Sequence, residues 1–240
     1  MHKNKFVMVD GLDGCGKGIA IDALRDLAHS RKLKTFDLKT FWKEFDTIPT
    51  LEEIGDAEVI ISAEPTYALV GKGIRQEIIK DNKREYSAQS TAFAFALDRE
   101  ILYRRLIIPA LKAGKIVFQE RGIITSIVYQ PVQGNISLNE IINLPGNRLA
   151  LQHAPGLVII PRLLAKTAME RLSRREKKDD AIFENLPFQE KLKERFESDW
   201  LQTLLKNNGS RVEFVDNESI SVEEFKSEVA RIVESHLFQK

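Results

Sequence analysis

Residues 5–21 read KFVMVDGLDGCGKGIAI, and this stretch decides the fold. It starts with the apolar run Phe6-Val7-Met8-Val9, continues through a glycine-rich turn at positions 11–18, and ends in an amphipathic helical pattern. Glycines let the backbone fold tightly around oxygen atoms, so that successive N–H groups and the N-terminus of the following helix point at one anion. The stretch therefore predicts a phosphate-binding loop, in which Lys17 supplies a movable positive charge.

One position departs from the usual pattern of such loops. The lysine is normally followed by Ser or Thr, whose hydroxyl binds Mg²⁺. Here Gly18 and Ile19 follow Lys17, and neither offers a side-chain oxygen. Two alternatives remain open: the metal is held through water and acidic residues elsewhere, or metal-dependent chemistry is impaired.

Composition limits the class of protein. The 240 residues are enough to bury a core as one domain. Lys and Arg number 36 against 35 Asp and Glu, so the net charge of +1 gives no overall field to attract nucleic acid or an anionic membrane. The single cysteine fits a reducing compartment, and we find neither a secretion signal nor an apolar run of roughly 18 residues. We therefore expect a cytoplasmic protein that binds neither nucleic acid nor membrane.

Strand and helix patterns alternate along the chain. Apolar, β-rich runs lie at 6–9, 35–38, 59–62, 116–119, 157–160 and 212–215. Helical patterns lie at 19–27, 87–113, 164–175, 188–205 and 222–237. Near-continuous apolarity indicates strands covered on both faces, and the alternation predicts a parallel sheet with helices on both sides. Ligands of such sheets gather at the carboxyl ends of the strands.

Charged residues follow two of these strands. Glu64-Pro65 comes after the strand at 59–62 and leads toward Arg75, although a capped turn into a helix explains the pattern equally well. Glu120-Arg121 ends the strand at 116–119. A carboxylate at that point can orient a Mg²⁺-bound water, and the arginine can clamp a phosphate bidentately.

Two further features fit a nucleotide site. Phe95 and Arg99 are four residues apart on one helix face, where they could present an aromatic plane and a hydrogen-bonding fork to a flat ligand. The alternative is core packing together with a surface arginine. Arginines of the run 171–178 could close over a transferring phosphoryl group and exclude water, although such a run is ordinarily a solvated helix end. Together these features indicate phosphoryl transfer between nucleotides.

Taken in order, the motifs resemble those of the thymidylate kinase family, whose members phosphorylate dTMP with ATP. The family shows F-x-x-D/A-R, a proline-containing helix end, G-x-x-V, D-R and S-x-x-A-Y-Q, which are matched at 94–99, 108–111, 114–117, 120–121 and 125–130. The resemblance implies an α/β P-loop kinase fold with a five-stranded parallel sheet flanked by helices on both faces. It further implies one domain over 1–240, with a helical lid at about 171–184 and an insertion at about 40–56.

The resemblance also assigns site residues by position. It implies an ATP site made of Gly11, Leu12, Asp13, Gly14, Cys15, Gly16, Lys17, Gly18 and Ile19. It implies a dTMP site made of Asp13, Glu64, Pro65, Arg75, Phe95, Arg99, Arg121, Thr125, Ser126 and Tyr129. It implies the catalytic residues Lys17, Arg121, Arg171, Arg174 and Arg175, with Glu120 as a Mg²⁺ ligand through water.

Individual roles follow in the same way. Asp13 would meet the sugar 3′-hydroxyl of the acceptor, while Arg75 and Arg121 would approach its phosphate. Phe95 would stack on thymine. Arg99 would read the polar edge of the base together with Thr125 or Ser126, and Tyr129 would lie beside the deoxyribose. Because the loop carries Cys15 rather than an arginine, the catalytic arginine would come from the lid.

The chain departs from the family at four places. Gly18 and Ile19 replace a hydroxyl pair, Ala63 stands where T-R-E-P members have arginine, Glu120 replaces aspartate, and residues 40–56 are additional. Despite these departures, the ordered set of motifs makes a homodimeric dTMP kinase that uses ATP and Mg²⁺ the leading hypothesis. Two alternatives stay open: a kinase for another nucleotide or nucleoside, and a catalytically weak nucleotide-binding module.

Overall fold

The computed structural model describes residues 4–174 and 185–239, and its centre is a parallel sheet in the order β2-β3-β4-β1-β5-β6. The strands are β1 Phe6–Val9, β2 Thr35–Asp37, β3 Val59–Ala63, β4 Ile116–Glu120, β5 Leu157–Arg162 and β6 Arg211–Asp216. The parallel α/β architecture is confirmed, but the expected count of five strands is wrong. All six apolar runs pair, because the partly exposed edge strand β6 needs only one neighbour and bonds β5 along its whole length.

Helices cover the sheet. They are α1 Lys17–Ser30, α2 Leu38–Phe41, α3 Leu69–Gly73, α4 Ala88–Leu102, α5 Ile108–Lys112, α6 Ile123–Gln133, α7 Leu138–Asn143, α8 Pro145–Gln152, α9 Ala165–Ser173, α10 Leu186–Phe196, α11 Asp199–Asn207 and α12 Val222–Phe238. A π-helical turn, Ile74–Ile78, continues α3, and a second one, Tyr103–Ile107, joins α4 to α5. Within the described ranges, none of these helices combines the length and the apolarity needed to cross a membrane.

The two faces of the sheet bury separate cores. On β1, Phe6 and Met8 belong to the core that contains residues of α4 and α6, whereas Val7 and Val9 belong to the core that contains residues of α1 and α12. All four side chains are fully buried. A strand with helices on both sides has no solvent-facing positions, which is why its sequence is apolar throughout rather than alternating.

The predicted insertion at 40–56 starts at the end of α2 and packs against the sheet. Ile48 and Ile54 lie in the same core as Phe6, at 1% and 4% exposure. Of the predicted lid, 171–174 belong to α9 and the residue that ends it, while 175–184 lie outside the described residues.

Candidate active site

The glycine-rich loop lies at the carboxyl end of β1, one of the two central strands, and leads into α1. Gly16 precedes α1 with a φ of 96°, and among the described residues no side chain caps the helix. Its first N–H groups therefore face the loop, where they favour an anion. Lys17 is 5% exposed, and its ammonium donates hydrogen bonds to the carbonyl oxygens of Gly11 (3.0 Å) and Leu12. The loop thus gathers backbone donors and one lysine at a single point.

Asp13 connects this loop to two predicted acceptor-site residues. Its carboxylate accepts a hydrogen bond from the guanidinium of Arg121, directly after β4, and one from the hydroxyl of Tyr129 on α6 at 3.1 Å. Gln189 on α10 donates a longer bond at 3.3 Å. Burial opposes ionisation of Asp13, but the charges of Arg121 and Lys17 prevail and lower its pKa to about 2. The carboxylate is therefore charged at neutral pH.

Asp10 is a second buried carboxyl at this edge of the sheet. It accepts hydrogen bonds from the backbone N–H of Gly11 (2.8 Å) and from both the N–H (2.9 Å) and the hydroxyl (2.7 Å) of Thr125. Burial raises the pKa of Asp10, and the positive charges of Arg121 and Lys17 oppose this effect. The hydroxyl of Thr125 is thus directed to the base of the loop.

Glu120, the predicted metal-binding carboxylate, lies at the end of β4. Its Oε2 accepts a bond from Lys39, the second residue of α2. Burial opposes ionisation of Glu120, yet the charges of Lys39, Lys17 and Arg121 hold its pKa below the usual value. Glu120 is thus a charged carboxylate that is bonded to Lys39 and influenced by the charges of Lys17 and Arg121.

Below this edge, Arg99 lies in a buried polar cluster at 1% exposure. It donates to Glu64 at 2.7 Å, to Ser126 at 3.0 Å and to the side-chain oxygen of Asn147. Gln119 donates to the other carboxylate oxygen of Glu64 at 3.0 Å. Each nitrogen of the guanidinium is therefore bonded within the protein, and the cluster fixes the orientation of the α4 face that also carries the predicted base-stacking ring.

The environment of Glu64 predicts a stability effect near neutral pH. Burial raises its pKa from 4.5 to about 7, against the opposing charge of Arg99. An acid with a raised folded-state pKa stabilises the fold fully below its unfolded value of 4.5, and this contribution is lost as the pH rises through 7. We expect the free energy of unfolding to decline over that window in urea titrations, and Glu64→Gln to remove this part of the decline. An unchanged pH profile in the variant would contradict the assignment.

Arg75 lies on the π-helical turn after α3. It donates to the carbonyl oxygen of Pro65 at 2.9 and 2.6 Å, and its guanidinium carbon lies 3.8 Å from the ring centre of Tyr67. Burial lowers the pKa of Arg75, and the charge of Arg121 acts in the same direction. The positive charge of Arg121 therefore acts on the guanidinium of Arg75.

The predicted lid arginines are described only in part. Arg171 on α9 donates to the backbone oxygen of Asn217 at 2.8 Å, and the side chain of Asn217 donates to the backbone oxygen of Cys15 at 2.8 Å. Arg174 is exposed at the end of α9, and Arg175 lies outside the described residues. One lid arginine is therefore joined to the loop through Asn217.

The other predicted residues lie on α4, directly after β3 and in the glycine-rich loop. Phe95 is 9% exposed on α4, one turn before Arg99, and a cis peptide bond joins Glu64 to Pro65. Ala63, the last residue of β3, is paired in register with Glu120.

Two glycines of the loop are required by its backbone conformation. Glycines 11 and 14 have positive φ values of 149° and 78°, which L side chains rarely adopt. The Cβ atom of any residue at position 14 would also collide with the backbone oxygen of Ala168 on α9.

Sequence reasoning missed several residues of this site, namely Asp10, Lys39, Tyr67, Asn147, Gln189 and Asn217. Three of them carried a usable signal, since Asp10 and Asn217 immediately follow strands and Lys39 lies two residues after one. Side chains at these points reach the ligand edge of a parallel sheet. Asn147 and Gln189 lie on helices far along the chain and carried no such signal.

Comparisons with known proteins point to one family. The family model described as thymidylate kinase matches residues 48–218. A probable thymidylate kinase of Thermococcus onnurineus is 28% identical over 241 residues, which covers 98% of this chain and 100% of that protein. One from Caldivirga maquilingensis is 31% identical over 170 residues, covering 71% of this chain and 68% of that protein. The crystal structure of thymidylate kinase from Ehrlichia chaffeensis has a TM-score of 0.61 at 18% identity, covers 97% of this chain and 99% of that chain, and thus shares the fold. The chain therefore belongs to the thymidylate kinase family.

Proposed function

We propose that the protein is a dTMP kinase, which transfers the γ-phosphoryl group of ATP to dTMP and releases dTDP and ADP. The observation that carries the proposal is the contact of Asp13 with Arg121 and Tyr129. This contact joins the phosphate-binding loop to the residues assigned to the acceptor. Family membership supports the same reaction.

In the proposed reaction, the loop amides and Lys17 hold the ATP phosphates, and Arg121 holds the phosphate of dTMP in line with the γ-phosphoryl group. Such transfers depend on positioning and charge stabilisation and need no covalent enzyme intermediate. Asp13 fixes Arg121 while meeting the 3′-hydroxyl, and Arg75 supplies a second cation for the acceptor phosphate. Arg171, Arg174 and Arg175 would close over the transferring group and exclude water.

For the base, we assign stacking on thymine to Phe95 and reading of its polar edge to Arg99. Ser126 is the better candidate than Thr125 for assisting Arg99, because Ser126 bonds that guanidinium at 3.0 Å whereas the Thr125 hydroxyl bonds Asp10 at 2.7 Å. Tyr129 would lie beside the deoxyribose, where its ring would disfavour a 2′-hydroxyl.

Mg²⁺ fits the residues present, and we propose Glu120 as the side chain that holds it through water. Among the described residues no three His, Cys, Asp or Glu side chains are grouped to hold a metal. Mg²⁺ in such enzymes usually needs only one or two carboxylates besides the substrate phosphates. Glu120 is ionised, and its bond to Lys39 uses Oε2. When bound, the metal would neutralise charge on the ATP phosphates.

Gly18 allows a direct test of the missing hydroxyl. A Cβ at this position meets no atom within 4 Å, so Gly18→Ser is sterically free. We expect Gly18→Ser to lower the Mg²⁺ concentration for half-maximal rate by about tenfold, consistent with one added polar contact of ~1.4 kcal/mol. Gly18→Ala is the matched control, since both variants remove a helical glycine. Equal Mg²⁺ dependence in the two variants would exclude a role for the hydroxyl.

The proposed activity is tested by measuring ADP release with ATP and a panel of nucleoside monophosphates and nucleosides. We expect turnover with dTMP to exceed that with dUMP, dCMP, dGMP and thymidine. Turnover with another acceptor and none with dTMP would refute the proposal. Slow turnover with every acceptor, accelerated in Gly18→Ser, would favour the nucleotide-binding module.

The family resemblance leads us to propose a homodimer as well. Phe93 and Leu97 lie one turn apart on α4 and are 58% and 50% exposed, so they form an apolar strip that a second copy would cover. Light scattering would report about twice the chain mass of 27.4 kDa, and Leu97→Glu would return it to the single value. We propose that this dimer acts in the cytoplasm, as expected for a chain with one free thiol.

A further inference from the structure

The segment 40–56, which the sequence analysis predicts to be an insertion, contacts the loop that leads to Arg75. Two of its side chains make these contacts, Trp42 and Asp46. We call residues 65–69 the 65–69 loop; they start two residues after β3 and end at Leu69, the first residue of α3.

Asp46 is bonded to the start of α3. Its Oδ1 accepts from the backbone N–H of Leu69 at 2.9 Å, and its Oδ2 accepts from Lys72 at 3.0 Å. Leu69 has a φ of 49°, an unfavourable value for a branched side chain that surrounding contacts must maintain. Asp46 therefore serves as an N-terminal cap supplied from a distant segment, at the residue where the backbone most needs support.

Trp42 supports the same loop from the inside. Its ring is 7% exposed, and its centre lies 6.0 Å from that of Tyr67 at an interplanar angle of 32°. The indole N–H donates to the backbone oxygen of Thr47 at 3.0 Å, which fixes the orientation of the ring. Tyr67 is thus packed on one side, although 41% of the residue remains exposed.

Arg75 takes its position from this loop. It lies over the ring of Tyr67 and bonds the carbonyl oxygens of Pro65 and Thr66 through Nε and Nη2. Among the described residues, no hydrogen bond occupies Nη1, so its two hydrogens and the second hydrogen of Nη2 can reach an acceptor phosphate. A displacement of the loop would therefore displace the guanidinium directly.

We propose that Asp46, assisted by Trp42, is a positioning residue for acceptor binding, and that it holds the 65–69 loop so that Arg75 meets the phosphate of dTMP. The proposal rests on the proposed function for the identity of the acceptor. In this proposal the segment 40–56 raises the affinity for dTMP without contacting the substrate.

The test compares Asp46→Ala with two controls in the full-length protein. Asp46→Asn keeps an oxygen for the Leu69 N–H, and Asp56→Ala removes an exposed ion pair with Lys34 from the same segment. We expect Asp46→Ala to raise the dissociation constant for dTMP about fivefold by calorimetry, the usual size of a lost cap. The affinity for ATP and the kcat should stay unchanged, and the two controls should stay within twofold of the parent.

A double-mutant cycle identifies the route of the effect. In an Arg75→Ala background, Asp46→Ala should have no further effect on dTMP affinity, because its action passes through Arg75. A full fivefold effect in that background, or no effect in the parent, would overturn the inference.

Hydrogen exchange separates failure of the inference from failure of the proposed function. It needs no nucleotide, and Asp46→Ala should accelerate exchange of the amides of 67–75 by about the same factor as it weakens binding. Absence of dTMP binding in the parent protein refutes the dTMP kinase assignment, whereas unchanged exchange in Asp46→Ala refutes the positioning role alone.

Discussion

Lys17→Ala is expected to reduce kcat by at least about a thousandfold, the upper range for removal of one preorganised charge donor. The ammonium of Lys17 is 5% exposed and lies among the carbonyl oxygens of the loop, 3.9 Å from Asp13. Because water is largely excluded there, its charge acts strongly on a phosphate that enters the loop. No other lysine described in the structure has this combination of burial and position.

The measurement is single-turnover ADP formation at saturating ATP and dTMP. Lys206→Ala provides the control, since Lys206 is an exposed lysine at the end of α11. A rate for Lys17→Ala within tenfold of the parent would show that the loop does not bind the transferring phosphates, and both enzyme hypotheses would then fail.

Arg121→Met is expected to lower kcat/KM for dTMP by about a thousandfold, the lower range for an arginine that stabilises phosphoryl transfer. The variant keeps the aliphatic stem but loses the charge that contacts Asp13. Arg121→Lys keeps the charge without the planar fork and should recover part of the rate. Equal rates in the two variants would show that charge at this position does not contribute.

Arg121→Met is also expected to lower the stability of the fold. Asp13 has a depressed pKa of about 2, so its contribution is present above the unfolded value of 3.8 and is lost as the pH falls through 2. Removing Arg121 should lower the free energy of unfolding at pH 7 by about 2 kcal/mol. The difference between parent and variant in urea titrations should shrink between pH 4 and pH 2. A difference that stays constant over this range would place its cause elsewhere.

Features coded by neighbouring residues were predictable from the sequence. Strand β1, the glycine loop and α1 follow one another within 25 residues, and each has a local signature in apolarity, glycine spacing or helical period. The helical pattern at 188–205 was only partly right. It divides at Glu197 and Ser198 into α10 and α11, because Ser198 takes the extended conformation that starts a new helix.

Contacts between distant segments were not predictable in this way. Lys39 reaches Glu120 across 81 positions, and Arg99 reaches Asn147 across 48. Both contacts depend on the order of the strands and the placement of the helices, which cannot be read from a single sequence. For the same reason the sequence did not show that Arg99 is buried and bonded to three polar partners, Glu64, Asn147 and Ser126.

The bond from Asn217 to the backbone oxygen of Cys15 joins residues 202 positions apart. During synthesis, the glycine loop leaves the ribosome long before Asn217, which directly follows β6. A nascent chain that stops before Asn217 would therefore carry an unsupported loop, and tight nucleotide binding should begin only when translation has passed that residue. Competence for ligand capture would then report that translation has passed β6.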